Sequence, residues 1–209
     1  MWVFCESYVN VLKGLVMNSI SHDDQLLKSL TLAVANRPRA TMKELAQHAG
    51  VSKATLHRYC GTRENLIAKL EEHAEGMLRR IVCNAGLQNL ESLEALRGLI
   101  RGHLAHRELL AFLMVQYRPD FLDPERGGRR WEFYLEALDG FFLKGQQAGL
   151  FRIDITAAIF TELFISLVYG LVDAELRGRA AHADSARTLE RMFLNGVLAA
   201  RLPTPLLIS

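Results

Sequence analysis

The sequence predicts an all-α protein of nine helices: a small N-terminal domain of three helices built around a helix-turn-helix, followed by a larger helical domain. Three observations predict it. Apolar residues recur at i, i+3, i+4 and i+7 along most of the 209 residues, with no lasting period-two alternation. Turn formers such as Pro38, Gly50, Pro119, Pro124, Gly149 and Gly178 punctuate those runs. Side chains able to cap a helix, Ser21, Thr41, Ser52 and Thr62, stand just ahead of apolar stretches.

Residues 1–20 form an extension that fits nothing after it. Glu6, Asn10 and Lys13 interrupt its apolar run and no basic residue leads it, which argues against a secretory signal and for a cytoplasmic protein. Met17 offers an alternative start, and a short amphipathic arm is the other account. Ser21 then opens a first helix in which Leu26, Leu27, Leu30, Ala33 and Val34 keep helical spacing up to Pro38.

The stretch from Thr41 to Leu66 carries the chemistry. Thr41 with Glu44 three positions on is a capping box, so a helix starts at Met42 and buries Leu45, Ala46 and Ala49. Gly50 can take the left-handed conformation that ends it, Val51 plugs the corner, and Ser52 caps a second helix from Lys53 to about Tyr59. Leu56 and Cys60 face inward there, and small Ala54 lets the preceding helix approach. Lys53, Thr55, His57 and Arg58 are left to reach phosphates or base edges in a major groove. Thr62 caps a third helix whose N-terminus, with Arg63 beside it, suits a phosphate. Thr41, Lys43 and Ser52 complete the expected DNA contacts, and Arg37 and Arg39 can clamp the backbone.

Charge supports this locally and not globally. The whole chain has a formal net charge of only +2, whereas Arg37, Arg39, Lys43, Lys53, Arg58 and Arg63 against Glu44 give 6 − 1 = +5 between residues 37 and 63. A nucleic-acid surface has such a concentrated positive footprint.

The segment resembles the DNA-binding domain of the TetR/AcrR family of bacterial transcriptional regulators. Thr41, Ala49, Gly50, Val51, Ser52, Ala54, Thr55, Leu56, His57, Tyr59, Cys60, Arg63, Glu64 and Leu66 hold the places of that family's pattern. Three residues depart from it: His57 stands for a Tyr that touches the DNA backbone, Cys60 for a core Phe, and Arg63 for a phosphate-contacting Lys. The resemblance implies a dimer on a palindromic operator, regulated by a small molecule and acting as a repressor.

A long helix from about Arg63 to Asn84, roughly 30 Å at 1.5 Å per residue, links residues 21–66 to an effector-binding and dimerisation domain over 67–209. Five further helices are expected, over Ser92–Ala105, Glu108–Tyr117, Glu125–Ala148, Ile155–Leu176 and Asp184–Leu202. The fourth is apolar almost all round, yet Glu162 in its middle makes a membrane span costly. A helix buried on two sides, pairing with the last helix across a two-fold axis, accounts for it better. His103, Phe112, Tyr117, Trp131, Tyr134 and Glu162 are candidates to line an apolar effector pocket; Phe141, Phe160, Phe164 and Tyr169 belong to the same wider set.

Other chemistries find little footing. His103 and His106 lack a third ligand, so no metal and no cofactor are expected. Cys5, Cys60 and Cys83 are scattered, which suits a reducing compartment without a disulfide framework. No nucleophile elbow, zinc-protease motif or phosphate-binding glycine loop occurs. The competing reading is an all-α enzyme or ligand-binding protein whose helix-turn-helix merely packs.

Overall fold

The computed structural model describes residues 22–87, 93–117 and 129–197, with backbone alone at 22, 23, 116, 117 and 129. Nine α-helices cover most of these residues. They are α1 (His22–Asn36), α2 (Met42–His48), α3 (Lys53–Cys60), α4 (Arg63–Asn84), α5 (Glu94–Leu104), α6 (Arg107–Tyr117), α7 (Arg129–Gln147), α8 (Ala157–Leu176) and α9 (His182–Val197). The starts at Met42, Lys53 and Arg63 fall where the caps predict them. Thr156 rather than an earlier residue caps α8, accepting from the Ile159 N–H at 3.3 Å.

The helices sort into two compact units. The first holds α1 to α4 as far as Cys83, together with α6; the second holds α5, α7, α8 and α9. The boundary therefore falls near the end of α4 rather than at residue 66, and α6 is counted with the helix-turn-helix rather than with the second domain. Burial explains this. Leu109, Leu110, Phe112 and Leu113 of α6 are all buried, and α6 packs along α1. Beneath α1 lie α2 and then α3, closed by Leu30, Val34, Leu45 and Leu56, none of which reaches solvent. Leu66, Leu70, Ala74 and Leu78 give α4 one continuous buried stripe.

The second unit is organised by aromatic rings. Phe142 of α7 lies 5.2 Å from Phe141, 5.7 Å from Phe160 and 5.6 Å from Phe193, centroid to centroid, and Phe164 meets Phe193 edge-on at 5.4 Å. Tilted and edge-to-face rings at these distances add to the energy of burial. Phe141, Phe160 and Phe164 are thus packed in the interior of this unit. The chain leaves α7 through Gly149 at φ 72°, and Gln146 Nε2 donates to the carbonyls of Arg152 and Ile155, which fixes the connection to α8.

A buried carboxylate joins α8 to α9. Glu175 accepts from Ser185 Oγ and lies 2.9 Å from His182 Nδ1, with its side chain almost fully enclosed. The pair sits beside the α9 N-terminus, whose free N–H groups and dipole favour negative charge. By length and composition α8 is the one helix among the described residues able to cross a membrane. Its outer side nevertheless carries Glu162 and Ser166 among Ile159 and Leu163.

Cys60 is a free buried thiol.

Gly145 decides how closely α7 meets the following connection. A Cβ there would lie 2.2 Å from Phe151 Cδ2, and Phe151 is fully buried against Phe141 and Phe142. Gly145→Ala gains about 1 kcal/mol of helix propensity but overpacks a ring with nowhere to go, at about 1–3 kcal/mol. The variant should unfold at a lower urea concentration than the parent; an equal or higher midpoint would contradict this packing.

Candidate nucleic-acid interface

Local chemistry at five helix ends shapes the exposed surface of the first unit. At the start of α2 the box is closed: Thr41 N and Oγ1 donate to Glu44 Oε2 at 2.7 and 2.8 Å, and Glu44 N donates back at 3.4 Å. The backbone bond from Thr41, then its hydroxyl, then Arg37 and His48, hold the Glu44 carboxyl below the usual glutamate range. Because that value is lowered, the contribution of the box is complete above the ordinary glutamate range and is lost as pH falls through the lowered value. At the other end, Gly50 at φ 71° lets Val51 N donate to Ala46 O (2.9 Å) and Gly50 N to Gln47 O (3.2 Å). This double bond pattern ends α2 sharply and sets the corner before α3.

Ser52 caps α3, accepting from Thr55 N at 3.0 Å. Its hydroxyl also lies 2.8 Å from Thr55 Oγ1. With the Ser52 oxygen already accepting, Ser52 can donate to Thr55, which leaves the Thr55 hydrogen aimed at an outside acceptor. Gly61 at φ 74° ends the helix, and Thr62 caps α4 by accepting from Asn65 N at 3.2 Å.

The faces of α3 separate as expected except at one residue. Leu56 and Cys60 are buried, while Lys53, His57 and Arg58 are exposed and Thr55 is half-exposed. Ala54 is exposed too, so it is not at the contact with α2; it belongs to the outer face, where a small side chain lets a ligand surface approach. Tyr59 is braced from α4, with Lys69 Nζ 5.1 Å from its ring centre. Burial pushes the Cys60 thiol up, and its Sγ donates to Leu56 O at 3.2 Å. That is the reverse of a reactive thiolate, so Cys60 serves packing.

Arg37, Arg39 and Lys43 are exposed on the α1–α2 connection and α2, in the same unit as Lys53 and Arg58. Between residues 37 and 63 these five exposed cations stand against a single carboxylate, Glu44, which is occupied in its box. Arg63 behaves differently: its guanidinium donates to Ala40 O at 3.3 Å and to Pro38 O. Periodicity around Arg63 carries no sign of that contact, since its partners lie 23 and 25 residues earlier. α3 has eight residues, and an α-helix, about 10–12 Å across with its side chains, fits a B-form major groove about 12 Å wide.

Of the expected effector residues, His103, Trp131, Tyr134 and Glu162 lie in the second unit and Phe112 in the first. His103 and Tyr134 meet inside the second unit: the Tyr134 hydroxyl and His103 Nε2 are hydrogen-bonded at 2.6 Å, and His103 Nδ1 donates to Leu99 O at 2.7 Å. Nδ1 therefore carries a hydrogen, because a carbonyl can only accept. Phe164 stands edge-on to the imidazole at 5.5 Å. Burial, and then Tyr169, push the Tyr134 phenol well above its ordinary value. Trp131 is buried on the same helix. Phe112 is fully buried in the first unit, and the Tyr117 side chain lies outside the described residues. Glu162 is exposed on α8 and does not face the interior, because it falls on the side of the helix opposite Phe160 and Phe164. Thr161, one position earlier, does face inward; its buried hydroxyl has no hydrogen-bond partner among the described residues.

Residues 38–70 match the family described as bacterial regulatory proteins, tetR family. The HTH-type transcriptional regulator NfxB of Pseudomonas aeruginosa is 66% identical over 180 residues, covering 86% of this chain and 96% of that one. Among solved structures, the ketosteroid transcriptional regulator KstR2 of Mycobacterium tuberculosis superposes with a TM-score of 0.67 at 16% identity, covering 88% and 98% of the two chains. The regulator LfrR of Mycobacterium smegmatis, solved with proflavine, gives 0.62 at 21% identity over 86% and 97%. The two structures speak for the fold, and the likeness to NfxB extends over nearly its whole length. With a capped, outward-facing helix-turn-helix at its N-terminus, the chain belongs to the tetR family of bacterial regulatory proteins, helix-turn-helix transcriptional regulators rather than enzymes.

Proposed function

We propose that the protein is a dimeric cytoplasmic repressor that holds a palindromic operator and is released from it by a small hydrophobic effector. One observation carries the DNA reading: α3 buries Leu56 and Cys60 and turns Lys53, His57 and Arg58, with Thr55 beside them, outward. Thr41, Lys43, Ser52 and Thr62 supply backbone-side contacts at the neighbouring helix starts, while Thr55 and Arg58 read bases. Two such heads on one dimer require half-sites about 34–36 Å apart or a multiple of that.

The outer side of α8 supports the dimer. Ile159, Leu163 and Leu176 on α8 and Met192 on α9 are large apolar side chains left exposed by their own chain, and Gly170 leaves open space between them. Burying that face against its copy gives a four-helix bundle about a two-fold axis. Glu162 lies on this face, at the seam rather than in the effector site.

For the effector, the inner groups of the second unit support a ligand that is mostly apolar with few polar atoms. His103, Tyr134 and Thr161 supply the polar points among Trp131 and Phe164. Release requires only that the effector bind the DNA-incompetent state better, and a difference of about 1–3 kcal/mol gives a response of 5- to 150-fold.

Selection of bound duplexes from a random pool at near-physiological salt tests the central claim. A palindromic consensus is expected, and no enrichment from folded dimer would reject it. On the recovered duplex, Thr55→Ala and Arg58→Ala should each lose about tenfold or more in specific over non-specific affinity, the worth of about one good base contact. Parent-like discrimination by either variant would misplace the recognition face. LfrR was solved with proflavine, so a planar aromatic amine is the first effector class to try. Proflavine should displace the protein from its duplex, and an unchanged complex at saturating dye excludes that class.

A further inference from the structure

Arg63 has the charge and the position of a phosphate contact, yet two of its five N–H donors are already engaged within the protein. Nη1 donates to Ala40 O at 3.3 Å and Nη2 to Pro38 O. Both carbonyls belong to the short connection between α1 and α2, residues 37–41, which carries exposed Arg37 and Arg39 and ends on the cap Thr41. Otherwise this connection is held by the bond from Ala40 N to Arg37 O (3.0 Å), by the box at Thr41, and by the buried methyl of Ala40.

The chemistry suits a clasp. A cation at the first residue of a helix stands at the unfavourable end of the helix dipole. Two backbone carbonyls supply the compensating negative ends, and a planar guanidinium can address both at once from separate nitrogens. A lysine ammonium, a point charge on a flexible stem, reproduces the charge but not the fork.

We infer that Arg63 is a positioning residue: its guanidinium fastens the first turn of α4 to the α1–α2 connection and so sets where Arg37 and Arg39 stand relative to the recognition helix, instead of gripping a phosphate itself. This rests on the reading of α3 as the DNA-facing helix. It also gives α4 a second hold on the interface, since a shift of its first turn carries the two clamp arginines as well as α3.

The test compares Arg63→Lys and Arg63→Gln full-length proteins with the parent in two assays. Hydrogen exchange, in the absence of DNA, reads the Ala40 and Thr41 amides, both of which are hydrogen-bonded in the parent. About tenfold faster exchange is expected in both variants, with the amides of α3 and the thermal midpoint little changed. Binding to the selected duplex should fall about tenfold in both, the order of a lost charge-assisted hydrogen bond, and lysine should not rescue. In an Arg39→Gln background, Arg63→Gln should cost clearly less, because the residue it positions is gone. Three results would overturn the inference: parent-like exchange in both variants, full rescue of binding by lysine, or the same loss from Arg63→Gln in both backgrounds. If no operator is found, the reading of α3 fails, and the exchange data still decide the clasp.

Discussion

An eight-residue helix does not hold together in water, because nucleation costs more than so few bonds return. The recognition helix α3 is that short, so the protein can present Lys53, His57 and Arg58 only if its neighbours keep α3 folded. Burial of Leu56 and Cys60, the Ser52 cap and the left-handed Gly61 do this from inside, from the front and from behind. The surrounding helices add to it. α2 sets the corner through Gly50, α1 covers α2, and Lys69 of α4 braces Tyr59 from the side.

This constraint explains why the basic surface tolerates its own repulsion. Five exposed cations lie close together in one unit, and their mutual repulsion is a cost that hydrophobic burial beneath them has to offset. Lys43, Lys53 and Arg58 sit on capped helices, and Arg37 is held by its bond to Ala33 O and by the bond from Ala40 N, so much of the charge is carried by ordered backbone. Arg63 is the cation turned to internal use, and its carbonyl partners make the α1–α2 connection part of that support.

The second unit solves a different problem. Its inward faces are closed by interlocked phenyl rings and by the Glu175–Ser185–His182 clasp, which joins α8 to α9 at one end. Its outward face on α8 is left apolar, with a carboxylate at Glu162 and a hydroxyl at Ser166 among the large side chains. A helix that is apolar all round belongs either in lipid or between two protein surfaces. The inner half is taken by this chain's own core, and the resulting division of α8 into two faces is why Phe164 and Glu162, only two residues apart, end in opposite environments.

The starts of α2, α3 and α4 were legible because a cap acts over three residues: Thr41 on Glu44, Ser52 on Thr55, Thr62 on Asn65. The inward and outward faces of α3 follow from the helical period alone, and with its local charge they identify the helix-turn-helix without a structure. Ala54 escaped that logic since an alanine fits either face. The sequence by itself determined the helices, their order and the exposed basic face of α3, all of which rest on interactions between residues a few positions apart. Only the tertiary structure decided that α6 joins the first unit, that Phe151 closes over Gly145, that His103 meets Tyr134, that Glu162 faces outward and that Arg63 reaches back to Pro38 and Ala40. Those contacts join residues from different helices and connections, or turn on which side of a wholly apolar helix meets the core, and no local period or cap encodes such a choice.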